Sequence, residues 1–340
     1  MTTSRTILVG IYSPFAAWNI PAGYVDRLRG EFPHHQFRYA PGETEALELI
    51  PGAHIAFMAE VRPEQLAAAP QLEWIHSPAA GVGNMLFPAM IESRVMMSNS
   101  RGISADTIAE HVIAVTLVMF RKLTLAFRSQ AGRTWAQDAM LADPPLRTIA
   151  GSHVLVVGLG AIGTATARRM AALGAHVTGI RRRASLDDAR DVRPEFVDLV
   201  APPDALIDLL PSADVVVLAA PQTRETRALI GARQLAAMRR DAVLVNVSRG
   251  KLVDETALAA ALAAPPAART IGGAALDVFE HEPLSPDSPL WPLPNVLITP
   301  HTAGFRRDHW DAVTTLFAEN LRRFESGQPL LNIVDKEAGY

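Results

Sequence analysis

"HVLVVGLGAIGTATARRMAALGAHVTGIRRRAS" occupies residues 153–185. Its opening, His153 to Gly158, is a β-branched run too short for a helix and closed by glycine, the pattern of a buried strand. Gly158, Gly160 and Gly163 follow at GxGxxG spacing. One glycine permits a tight turn, the next lets backbone approach a pyrophosphate, and the third lets helix and strand pack closely. The spacing predicts a helix from Ile162 to Leu173 and a second strand from Ala175 to Ile180. The start of that helix offers free N–H groups and a positive dipole end to phosphates. A lone GxGxxG says little, but strand, turn, helix and strand in order is the context that a dinucleotide site requires.

Outward from this stretch the same rhythm continues. "ADVVVLAA" (213–220), "AVLVNVS" (242–248), "GGAALDV" (272–278) and "NVLITP" (295–300) read as apolar strands separated by helical segments. Continuous apolar strands alternating with helices indicate an α/β fold with a doubly wound parallel sheet covered on both faces. The first hundred residues repeat the pattern as a second, smaller α/β unit, with Met96 and Met97 expected in its core. A long helix is expected over residues 105–128, with Ser104 as N-cap and His111 in a structural role. Trp310, Val313, Phe317, Leu321 and Phe324 fall on one helical stripe near the C-terminus. That stripe returns the chain to the first unit. The expected organisation is a discontinuous domain of residues 1–103 and 304–340 and a dinucleotide domain of residues 104–303, with a cleft between them.

Arg181, Arg182 and Arg183 close the second strand, where such a fold faces the adenosine ribose. A carboxylate there accepts the ribose hydroxyls and repels a 2′-phosphate. Arginine reverses both effects, because its guanidinium fork matches phosphate oxygens. NADP is therefore the expected cofactor, with NAD as the alternative. The competing explanation pairs these arginines with Asp187 and Asp188 on a solvated surface.

The formal net charge of −3 gives no general attraction to nucleic acid or to an anionic membrane. Absence of cysteine excludes thiol catalysis, disulfides and thiolate metal sites, and no metal is expected. The N-terminal apolar stretch is too short for a signal peptide, and no apolar run reaches the roughly 18 residues of a membrane span. A cytosolic protein is expected.

Three stretches place polar groups at strand ends: "NVSRGKLVDE" with Arg249, "ALDVFEHEP" with Asp277, Glu280 and Glu282, and "ITPHTAG" with His301. Each alone has an ordinary structural explanation. Together they supply what reduction of a 2-oxo acid requires: an arginine for the carboxylate and carbonyl, a histidine to deliver a proton, and a carboxylate to favour the imidazolium.

At these residues the chain resembles the D-isomer-specific 2-hydroxyacid dehydrogenases. "GLGAIG", "VNVSRG", "ALDVFEHEP" and "ITPHTAG" match that family's signatures in order, and "WIHSPAAGV" (74–82) resembles its substrate-carboxylate loop. The resemblance implies that the N–H groups around Ala80, Gly81 and Val82 bind the substrate carboxylate, that Arg249 binds substrate, and that His301 is the acid/base. Glu282 precedes a proline as the family pattern requires and is preferred over Glu280 as the partner of His301. Implied cofactor contacts come from Gly158, Gly160, Ala161, Ile162, Gly163, Arg181, Arg182, Pro221, Thr226, Val247, Asp277, His301 and Gly304, with Asp277 on the nicotinamide side.

The arginine cluster resembles the NADP-using glyoxylate and hydroxypyruvate reductase branch. The resemblance further implies a homodimer, with Trp135 either a pocket aromatic supplied by the second copy or an ordinary loop tryptophan. Glyoxylate, hydroxypyruvate, pyruvate and phenylpyruvate-like acids are candidate substrates, and a D product is an implication of the family. Two rivals stand beside this reading: an NAD-dependent enzyme of the phosphoglycerate type, disfavoured because the chain ends at "GY" without an added regulatory domain, and a non-enzymatic nicotinamide sensor. A sensor would be free to lose the Arg249, Glu282 and His301 set.

Overall fold

A computed structural model describes residues 4–182, 194–265 and 268–339. Arg183, Asp187 and Asp188, named above, lie outside these residues. The chain divides into one unit of Met1–Ile103 with Arg306–Tyr340 and a second of Ser104–Phe305.

In the first unit, β1 (Thr6–Gly10), β2 (Gln36–Tyr39), β3 (Ile55–Met58), β4 (Trp74–Ser77) and β5 (Met96–Asn99) form a sheet in the order β2-β1-β3-β4-β5. Every pairing is parallel. The C-terminal helix His309–Glu325 completes the core of this unit. Its Phe317 stacks on Phe57 at 4.3 Å and on Trp74 at 5.4 Å between ring centroids. Burial of such an aromatic contributes about 1.5–3 kcal/mol, which gives the returning segment a stabilising role. The two methionines of β5 divide: Met97 is buried, whereas Met96 is 40% exposed, against the expectation that both are core. Successive strand residues face opposite sides, and only one side of this edge strand is covered at that position.

The second unit holds β6 (His153–Val157), β7 (His176–Ile180), β8 (Leu199–Ala201), β9 (Val215–Leu218), β10 (Val243–Asn246), β11 (Gly273–Leu276) and β12 (Val296–Ile298). Their order is β12-β11-β10-β9-β6-β7-β8, again parallel throughout. β9 and β10 are buried along their whole length, which requires cover on both faces. The strand order reverses between β6 and β9, and ligands of open α/β sheets bind at the carboxyl ends beside such a reversal.

The single helix expected over 105–128 is interrupted. Ala105–Phe120 and Leu123–Ala131 are separate helices, with Lys122 between them at φ 52°. The Phe120 carbonyl accepts the Arg147 N–H at 3.0 Å, and the Lys122 ammonium donates to the carbonyls of Met140 and Ala142. These bonds reach residues 140–147, later in the chain, so no local pattern announces the break. At the other end Ser104 makes no side-chain cap, although its carbonyl accepts the Ile108 N–H at 2.9 Å. No helix is long and apolar enough to cross a membrane among the described residues.

Candidate active site

The glycine turn joins β6 to the helix Ala161–Ala172. Gly158 adopts φ +101°, and a Cβ on Gly163 would lie 1.8 Å from the Gly158 carbonyl oxygen, so helix and turn touch through bare backbone. Gly160 differs: a Cβ there would meet no atom within 4 Å. Its missing side chain leaves an open cradle in front of the helix start. The first intrahelical bond at this turn runs from the Thr164 N–H to the Gly160 carbonyl, leaving the N–H groups of Ala161, Ile162 and Gly163 available to an anion. These residues fit a dinucleotide pyrophosphate.

Arg181 follows β7 directly, and its buried Nε has no hydrogen-bond partner among the described residues. Arg182 is exposed and close to Glu225. The Glu225 carboxyl is held below its ordinary range, first by the Thr223 hydroxyl and further by Arg182 and Arg224. The Arg182 charge is thus among those felt by Glu225.

The remaining residues expected around a cofactor take varied positions. The Thr226 hydroxyl donates to the Pro221 carbonyl at 2.7 Å and accepts the Thr223 N–H at 2.7 Å, so it shapes the loop that exposes Pro221. Val247 is buried at the end of β10, and Gly304 lies against Ile108 and Ser104.

Arg249, Glu282 and His301 line one cavity of about 300 Å³ together with Gln222, Gly250, Lys251, Phe279 and Glu280. A Cβ on Gly250 would fall 1.8 Å from the Phe279 carbonyl carbon, so glycine is required for the Arg249 segment to meet the Phe279–Glu282 turn. The Asn246 side chain donates to the Arg249 carbonyl at 3.0 Å and accepts the Ser248 N–H at 3.1 Å. The Ser248 hydroxyl in turn donates to the Ala220 carbonyl. Asn246 and Ser248 were not expected as site residues, although both stand in the quoted "NVSRG". Burial pushes the Arg249 pKa down, with Glu282 opposing that shift.

His301 Nδ1 lies 2.7 Å from Glu282 Oε2, while Glu282 Oε1 accepts the Phe279 N–H at 2.9 Å. Burial pushes the Glu282 pKa up, but the His301 bond, the Phe279 N–H and the Arg249 charge outweigh it, and the net shift is down. Glu282 is therefore ionised at neutral pH. Its competitor Glu280 faces Arg227 at 3.6 Å instead.

Asp277 is 2% exposed and organises the histidine loop from within. Its carboxylate accepts the Thr299 hydroxyl at 2.6 Å and the N–H groups of Thr302 and Ala303 at 3.0 Å, and its carbonyl accepts the His301 N–H at 2.8 Å. This bonding holds His301 at φ 53°, a left-handed conformation that persists in a non-glycine residue only where surroundings enforce it. His111 lies 3.4 Å from the Thr299 hydroxyl; burial pushes its pKa down, opposed by Asp277.

In the first unit, Ala80 is exposed, Gly81 half-buried and Val82 buried. Elsewhere in that unit His34, His35 and Glu325 converge as possible metal ligands. His35 Nδ1 accepts the Arg5 N–H at 3.2 Å, which leaves the proton of a neutral ring on Nε2, towards Glu325. That arrangement leaves no free lone pair on the neutral His35 ring for a metal.

A parallel sheet with a phosphate-binding turn at its switch point, and an arginine–carboxylate–imidazole set on the same sheet, define a Rossmann-type oxidoreductase. Residues 113–303 match the family model of the D-isomer specific 2-hydroxyacid dehydrogenase, NAD binding domain. Over 315 residues the chain is 33% identical to a glycerate dehydrogenase of Methylorubrum extorquens, covering 89% of this chain and 93% of that one. It is 34% identical over 276 residues to a D-3-phosphoglycerate dehydrogenase of Archaeoglobus fulgidus, covering 81% of this chain but only 50% of that protein. It also superimposes, with a TM-score of 0.81 and 27% identity, on the NADPH-dependent glyoxylate/hydroxypyruvate reductase of Sinorhizobium meliloti in complex with NADP and sulfate, covering 99% and 100% of the two chains. The chain belongs to the D-isomer specific 2-hydroxyacid dehydrogenase family.

Proposed function

We propose that the protein is an NADPH-preferring reductase of small 2-oxo acids that forms D-2-hydroxy acids. The observation that carries this reading is the 2.7 Å Glu282–His301 pair lining one cavity with Arg249. Arg249 holds the substrate and polarises its carbonyl. His301 delivers a proton from its second ring nitrogen to the carbonyl oxygen, and ionised Glu282 orients the ring and stabilises the imidazolium. The N–H groups of Ala80, Gly81 and Val82 bind the substrate carboxylate.

Gly158, Gly160, Ala161, Ile162 and Gly163 hold the pyrophosphate, with Pro221, Thr226, Val247, Asp277, His301 and Gly304 completing the cofactor contacts. When bound, the nicotinamide supplies the hydride. The orphaned Nε of Arg181 supports preference for a 2′-phosphate, with Arg182 beside it. NADP in the Sinorhizobium reductase supports the same preference.

The protein works as a homodimer in this reading. Leu117 and Leu173 line an apolar hollow on the second unit, and Trp135 is 89% exposed, which supports cover by a second copy. The test is a matrix of initial rates, with glyoxylate, hydroxypyruvate, pyruvate and phenylpyruvate each assayed against NADPH and NADH. Turnover with NADPH ahead of NADH is expected, and no oxidation of either cofactor with any of these acids rejects the reading.

A further inference from the structure

β4 ends at Ser77, and the chain turns through Ala80 beside the end of β5 at Asn99. Asn99 is 1% exposed. Its Nδ2 donates to the Ala80 carbonyl at 2.7 Å, and its Oδ1 accepts the Arg101 N–H at 3.3 Å. Those partners fix the amide's orientation, because turning it over would set donor against donor and acceptor against acceptor. The Ser100 N–H donates to the Ala79 carbonyl at 3.2 Å. Two successive carbonyls are thus drawn towards residues 99 and 100.

In a planar trans peptide the N–H points opposite the C=O. The Gly81 N–H therefore faces away from Asn99 and the Ala80 N–H away from Ser100, and neither has a hydrogen-bond partner among the described residues. Adjacent unpartnered N–H groups suit an anion. Asn99 is itself clamped from the C-terminal segment. Asn332 Nδ2 donates to the carbonyls of Asn99 at 3.1 Å and Arg101 at 2.9 Å, and the Asn332 carbonyl accepts the Asn99 N–H at 3.1 Å.

We infer that Asn99, backed by Asn332, is a positioning residue that aims the Gly81 N–H, beside that of Ala80, at the substrate carboxylate. The inference rests on the 2-oxo acid reading above. Without the Asn99 bond the peptide between Ala80 and Gly81 is free to rotate, since Gly81 has no Cβ to resist it. The consequence falls on substrate binding, not on the cofactor or the proton donor.

Asn99→Asp tests this, since it keeps the side chain's shape and the acceptor for Arg101 but faces the Ala80 carbonyl with a second acceptor. Wild type is first assayed with the panel of 2-oxo acids, and the best substrate is used for the variants. The expected result is a KM raised roughly tenfold, with kcat within about twofold of wild type and the NADPH dissociation constant unchanged. Asn332→Ala should raise KM in the same direction by less, and it carries the same comparison if Asn99→Asp does not fold. An unchanged KM, or a fall in kcat at constant KM, overturns the positioning role while the enzyme reading stands. A wild type that reduces none of the acids overturns that reading and this inference with it.

Discussion

His301 Nδ1 and Glu282 Oε2 are 2.7 Å apart, and the left-handed backbone of His301 is held by Asp277 from the strand side. His301 is thus held by two carboxylates with separate tasks, one on its ring and one under its loop. His301→Ala should lower kcat by roughly 100- to 10,000-fold with NADPH binding retained, as fluorescence titration will show. Because Glu282 is ionised at neutral pH, Glu282→Gln removes charge without changing shape, and a smaller fall of roughly 10- to 100-fold is expected. Full turnover in the His301 variant would remove it from the acid/base role.

Arg181→Asp should shift cofactor preference. A charge-assisted bond to phosphate is worth roughly 1.5–3 kcal/mol, so the NADPH/NADH ratio of kcat/KM should fall roughly 10- to 100-fold. Arg182→Asp should have a smaller effect, since that side chain is exposed whereas the Arg181 Nε is buried. An unmoved ratio in the Arg181 variant would make the cluster a surface feature.

Two glycines of one turn should respond in opposite ways. Gly163→Ala places a Cβ against the Gly158 carbonyl and should cost about 1–3 kcal/mol or more in stability by chemical denaturation. Gly160→Ala meets no protein atom, so stability should hold while NADPH affinity drops about tenfold. Equal affinity in the Gly160 variant would place the pyrophosphate elsewhere.

Stability should depend on pH through His76. This ring is fully buried against Ser98, and burial pushes its pKa down to about 3. An unfolded chain, with an ordinary histidine pKa of about 6.5, binds more protons between those values. Stability is therefore complete above about pH 6.5 and falls as pH drops towards 3, by up to about 1.4 kcal/mol per pH unit from this group. His76→Gln should flatten the slope of unfolding free energy between pH 7 and 5 relative to wild type. Parallel slopes would show that His76 is not the group responsible.

Much of this protein is legible in its sequence because the relevant signals are local. Three valines in β6, the valine run of β9 and the glycine spacing between Gly158 and Gly163 specify strand, turn and helix within a few residues of each other. The Arg249, Glu282 and His301 segments are legible for the same reason, each lying directly after an apolar run. Tertiary structure decided matters of pairing between distant residues. It put Glu282 on His301 and Glu280 on Arg227, ended a helix at Phe120 through Arg147, turned Met96 outward, and set Asn99 under the Ala80 carbonyl. Such outcomes depend on strand order and on where loops from separate parts of the chain meet. Periodicity carries no record of either, because it reports which face of an element is buried and not what lies across from it.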